Sequence, residues 1–218
     1  MPEKVTFQLS YDGEALRDGS MEIQELAPAL LALRDLIDAA SAHVTKGQAS
    51  ITLRVRSDFQ IGSFDINLVL QQAPIKELVN FFSSDDASTL NNILGVLGFA
   101  SGMTIGLVQL IKKLKGKKPQ TVTALENGKV RLIYEGEGSF EVDEIVYKLL
   151  EDRRARIAVS GLVQPVRGKG IEVARVTYNT HSPRKCYKGE HGVRPCLGLY
   201  DTFSQVVVGA RHASPLRP

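Results

Sequence analysis

Residues 87–111, ASTLNNILGVLGFASGMTIGLVQLI, run 25 positions without a formal charge and then meet Lys112, Lys113, Lys115, Lys117 and Lys118. No other stretch constrains the chain as strongly. The inner apolar run, residues 93–111, is 19 residues long. As one helix it would span about 28 Å, close to the roughly 30 Å of a bilayer core. Gly95, Gly98, Gly102 and Gly106 would project from that helix within an arc of about 80°. Each glycine inside a helix costs about 1 kcal/mol relative to alanine, so the spacing serves close approach of another backbone rather than helix propensity. Two packings satisfy it: a contact between helices of separate copies, or a helix buried in the chain's own core.

A permanent membrane span meets a difficulty of topology. Asp85 and Asp86 precede the run and the lysines follow it, so the positive-inside rule sends residues 1–86 across the bilayer. Those residues read as a folded domain. The N-terminus has no apolar h-region, and two cysteines in 218 residues imply neither a disulfide framework nor an oxidising compartment. The expected location is the cytoplasm, with or without association with the inner membrane.

In order along the chain, Val5, Phe7, Leu9 and Tyr11 alternate with polar residues, a half-buried strand. Asp18-Gly19-Ser20 offers capping chemistry for a helix carrying Ile23, Leu26, Leu30, Leu33 and Ile37, which stops before Gly47. Pro28 implies either a helix restarting there or a kink. Residues 51–56 and 64–70 alternate and form an antiparallel pair across a loop at 57–62; residues 74–82 are a short helical segment. The second half opens with Asn127-Gly128 between two apolar-alternating runs, the signature of a type I′ hairpin pairing Glu126 with Lys129 and Leu125 with Val130. Val142, Ile145, Val146 and Leu149 mark a helix, while residues 156–163 and 170–178 read as strands. The fold class is therefore α+β, with small antiparallel sheets and a central apolar glycine-lined helix. Its units are 1–86 (sheet and helix), 87–118 (central helix with a lysine-rich end), 119–178 (β-rich with one helix) and 179–218 (a basic irregular tail).

The charge is concentrated at the end of the chain. Residues 1–177 carry 21 Lys+Arg against 22 Asp+Glu, whereas residues 178–218 carry 6 against 2. Within that tail, residues 197–200 and 203–208 have the pattern of strands. Its His181, Cys186, His191 and Cys196 are zinc-ligand types spaced five apart, wider than the two to four residues of ordinary zinc pairs, so the expectation is no cofactor, with zinc the one metal to test. Lys112, Lys113, Lys115, Lys117 and Lys118 suit anionic lipid headgroups or phosphates, and the adjoining apolar run favours lipid over nucleic acid. Aromatic residues make up 6% of the chain and Trp is absent, which argues against base-stacking or carbohydrate platforms. His43 has no Cys, Asp or Glu close in sequence and reads as a surface or cap residue. No Ser-His-Asp or Cys-His spacing stands out, so the chain reads as non-enzymatic.

Residues 26–33 (LAPALLAL), 61–68 (IGSFDINL) and 114–119 (LKGKKP) resemble stretches of an uncharacterised family of bacterial and prophage-encoded proteins. The resemblance covers residues 1–175 and excludes the tail. It implies a bacterial or phage setting and no particular activity. Together these readings give a homo-oligomer that self-associates through the glycine face and acts at the inner membrane. The alternative is a soluble binding protein, an inhibitor or adaptor in phage–host conflict, with the apolar run as core.

Overall fold

The computed structural model describes residues 4–56, 64–72, 86–100, 105–134, 138–168, 170–178 and 205–209, with backbone alone described for 86–88 and 205–209. The fold is α+β, with two antiparallel sheets and helices laid against them. The larger sheet has the order β2-β3-β1-β7-β8, from β1 (Lys4–Asp12), β2 (Ile51–Val55), β3 (Phe64–Gln72), β7 (Val173–Tyr178) and β8 (Gln205–Gly209). The smaller has the order β4-β5-β6, from β4 (Thr121–Ala124), β5 (Lys129–Tyr134) and β6 (Gly138–Asp143).

Strict alternation places Phe7, Leu9 and Tyr11 of β1 on one face, each no more than 2% exposed. Their cross-strand neighbours Leu68, Ile66, Val176 and Ala174 share that face. α1 (Ile23–Val44), α2 (Asp86–Leu97) and α5 (Arg153–Leu162) lie among these buried residues. Two tyrosines tie sheet to helices: the Tyr11 hydroxyl donates to the Leu162 carbonyl at 2.9 Å, and the Tyr178 hydroxyl to Asn91 Oδ1 at 2.6 Å. Burial pushes the Tyr11 hydroxyl well above the ordinary phenol range, so it remains a donor.

Several local expectations change on contact with tertiary structure. Residues 156–163 lie within a helix and its end, not in a strand: Ala155, Ala158, Val159 and Leu162 of α5 are all buried at helical spacing. Val142 belongs to β6, and the helix after it, α4 (Glu144–Glu151), buries Val146 and Leu149. Asp18 does not cap α1; its carboxylate accepts from the Ser20 amide and hydroxyl, and the helix starts five residues later with Glu22 as N-cap. α1 ends before Gly47, as expected, but it runs as one helix through Pro28 instead of restarting there.

The β4–β5 hairpin forms, but with a different turn. Ala124 pairs with Val130 and the Leu125 amide donates to Lys129 O at 2.8 Å, leaving a three-residue loop, 126–128. Gly128 has φ +72° and Asn127 is not left-handed. This is the three-residue connection with a left-handed glycine, one residue out of register with the expected type I′ turn. The shift matters because it puts Val122 on the same face as Leu132 and Val130.

The central apolar run is two helices rather than one. α2 ends at Leu97, and α3 spans Leu107–Leu114. Gly98 adopts φ +87°; its amide donates to Gly95 O at 2.8 Å and the Phe99 amide to Leu94 O at 2.7 Å. That pair of bonds is a Schellman motif, with Leu94 and Phe99 as its buried apolar contact. Leu90, Ile93, Leu94, Leu97, Leu107 and Leu110 are all 0% exposed. Among the described residues no helix is long and apolar enough to cross a membrane.

Candidate functional site

Three places in the structure bear on function: the glycine turn, a His–Asp joint and the lysine corner. Two of the four expected packing glycines face each other inside the chain. A methyl on Gly106 would run into the backbone of Gly98, and one on Gly98 into the Gln109 side chain. Gln109 Nε2 donates to Gly98 O at 2.7 Å and braces the turn, while its buried Oε1 has no partner among the described residues. Gly95 is buried within α2, and Gly102 lies outside the described residues. A close helix approach does occur elsewhere: a Cβ on Gly161 of α5 would stand 2.7 Å from Ala32 Cβ of α1.

His43 has a carboxylate partner that no sequence spacing revealed. At the C-terminal end of α1 its Nε2 lies 3.4 Å from Asp152 Oδ2, across 109 residues of chain. Asp152 is the N-cap of α5 and also accepts from the Arg154 amide at 2.8 Å. Burial raises the Asp152 pKa, but the Arg154 amide, the His43 contact and the nearby charges outweigh it, and the carboxyl is held below its ordinary range. Among the described residues no hydroxyl or thiol hydrogen-bonds to His43. The pair joins the C-terminal end of α1 to the N-terminus of α5.

The lysine corner is built by the end of α3. Leu107, Val108, Leu110 and Leu114 point inward and are buried, which leaves Lys112 and Lys113 on the opposite, exposed face. Lys115 terminates the helix at φ +47°, a left-handed conformation that costs a non-glycine residue about 1 kcal/mol, and Gly116 follows at φ +80°. The chain turns through Lys117 and Lys118 and is fastened to the small sheet by the Gln120 amide, 2.8 Å from Ile133 O. All five lysines are exposed. Lys113 Nζ sits 4.9 Å above the Phe140 ring, and Phe140 in turn lies 5.8 Å from Tyr134. Burial, with a smaller contribution from Tyr147, pushes the Tyr134 phenol up to about 12. Lys112 and Lys117 also interact within the protein.

A void of about 10 Å³ among Leu9, Phe99, Val108, Leu162 and Ala174 is lined by apolar groups and is far smaller than ligand pockets. His181, Cys186, His191 and Cys196 lie outside the described residues, among which no metal-capable cluster occurs. The chain matches no protein-family model, no curated protein and no solved structure.

Proposed function

We propose that this chain is a non-enzymatic binding protein, of the inhibitor or adaptor kind, that takes a phosphate-bearing polyanion on its lysine corner. The supporting observation is a contrast within one amphipathic helix. The apolar side of α3 is spent on the core, while Lys113, Lys115 and Lys118 stand exposed around its end. Stable attachment to a lipid surface draws on apolar side chains beside the cations, which insert among the acyl chains. A phosphate backbone needs the cations alone. Burial of the described apolar residues of the neighbouring run thus removes the reason for preferring lipid and favours a nucleic-acid backbone.

Fluorescence anisotropy with a labelled duplex of about 20 base pairs tests this, read at about 50 and 200 mM salt. Binding should weaken steeply with salt. The triple change Lys113→Ala, Lys115→Ala and Lys118→Ala should lower affinity and reduce the salt slope by roughly 2 to 3. A duplex that fails to bind at low salt, or binds equally well without the three lysines, defeats the proposal. Anionic vesicles belong in the same experiment. Self-association at an inner membrane requires α2 and α3 to leave the core, so vesicle binding with dye release would support that reading instead.

A further inference from the structure

We infer that two copies of this chain join edge to edge through β2, antiparallel and centred on Leu53, to extend the larger sheet across both. β2 is the outermost strand of that sheet, and among the described residues its backbone pairs only with β3. The register fixes which groups remain. The Arg56 amide donates to Asn67 O at 2.7 Å, so Arg54 opposite Val69 and Thr52 opposite Gln71 also turn their backbone groups toward β3. Ile51, Leu53 and Val55 therefore direct theirs outward, away from the sheet.

Those three outward residues are self-complementary. In an antiparallel pair centred on Leu53, Leu53 meets Leu53 of the other copy and Ile51 meets Val55, giving about six main-chain hydrogen bonds. The side chains match as well. Ile51, Leu53 and Val55 lie on the face shared with Leu70 and Leu68, and Val55 is 52% exposed there. Ile51 of the second copy would cover it. On the opposite face Thr52 meets Arg54 and Arg54 meets Thr52, so no like charges are opposed. Arg54 opposite Arg54 would have weakened the arrangement; centring the five-residue strand ITLRV on Leu53 avoids it. No proline, one of the devices by which an edge is closed to pairing, interrupts the strand.

Thr52 is exposed and supplies a test that works in both directions without touching the core. The full chain should sediment as a dimer, twice 23.9 kDa, with dissociation on dilution. Thr52→Arg sets two arginine pairs face to face and should raise Kd about tenfold; Thr52→Glu sets two Glu–Arg pairs and should lower it by a similar factor. Circular dichroism of each variant confirms the fold. A chain that stays monomeric at every concentration overturns the inference. So does a dimer whose Kd is the same in both variants, which would place the contact elsewhere, as on the glycine turn.

Discussion

α1 and the run of residues 87–114 are the two long apolar segments of this molecule, and each contains a residue hostile to helices. α1 holds a proline near its start and remains a single 22-residue helix. The central run holds four glycines, individually far milder, and breaks into α2 and α3. Position explains the inversion. Pro28 is exposed on the second turn, and the one amide bond it removes would have ended on Gln24, which is also exposed, where water can serve the orphaned carbonyl. Gly98 sits where the helix can stop profitably: its left-handed conformation closes a Schellman motif and turns Phe99 into the core. Intrinsic propensity ranks residues, and the tertiary contact available at each position decides which one acts.

The sharpest way to break this comparison is Gly98→Ala. The new methyl would be placed at φ +87° and against Gln109, combining backbone strain with overpacking. We expect a loss of about 3 kcal/mol, which in a chain of this size lowers Tm by roughly 6–12 °C. Thermal unfolding with a parallel urea titration measures it. A change below about 1 kcal/mol would mean that the turn is loose and that the run can straighten into the single helix its composition permits.

How far the fold was legible follows from the same logic. β1 and β2 could be read directly, because alternation admits one assignment when polar and apolar residues strictly interchange; β3 was legible despite Val69 between Leu68 and Leu70. α5 could not: Ile157 and Val159 alternate as in a strand, yet Ile157 is 58% exposed and Val159 is 4%, a difference created by packing on α1. The break at Gly98 did leave a sign, a glycine followed by a large apolar residue, which was outweighed by the appeal of an unbroken uncharged run. The lysine corner was visible because its members are clustered within residues 112–118. Its seat on Phe140 and the His43–Asp152 joint were not, since each unites residues distant in sequence that only the fold brings together.

Pro28→Ala should move stability in the opposite direction. Restoring the amide and relieving the ring's clash at an exposed position ought to stabilise by about 2 kcal/mol, somewhat less than the full interior penalty of about 3. A loss instead of a gain would show that Pro28 sets the entry path of α1. The joint at the other end of that helix responds to pH. The Asp152 carboxyl titrates below its ordinary value in the folded protein, so the unfolded chain takes up the proton first as pH falls. Its contribution is then complete above the unfolded pKa and is lost as pH drops through the lower folded value. Asp152→Ala, losing both cap and His43 contact, should cost about 1 to 2 kcal/mol at neutral pH. It should also flatten the stability–pH curve below about pH 4, and urea midpoints from pH 2.5 to 7 would reveal an unchanged slope if the joint is inert.

The smallest effect isolates what the largest one contains. Gly128 in the β4–β5 loop has φ +72°, close to that of Gly98, but a Cβ built there meets nothing within 4 Å. Gly128→Ala thus carries the left-handed backbone cost without any collision. We expect about 1 kcal/mol, the ordinary price of that conformation for a residue with a side chain. Gly128→Asn should recover part of it, because asparagine tolerates the left-handed region. Subtracting the Gly128→Ala value from that of Gly98→Ala leaves the steric part, the portion owed to Gln109. A double change, Gly98→Ala with Gln109→Ala, provides a direct reading of the same quantity by removing the side chain the methyl strikes. If the difference between the two glycine positions vanishes, the break in the central run is a property of backbone conformation alone and Gln109 does not hold it. If the difference persists and the double change narrows it, the turn is locked by packing, and the apolar run is committed to the core.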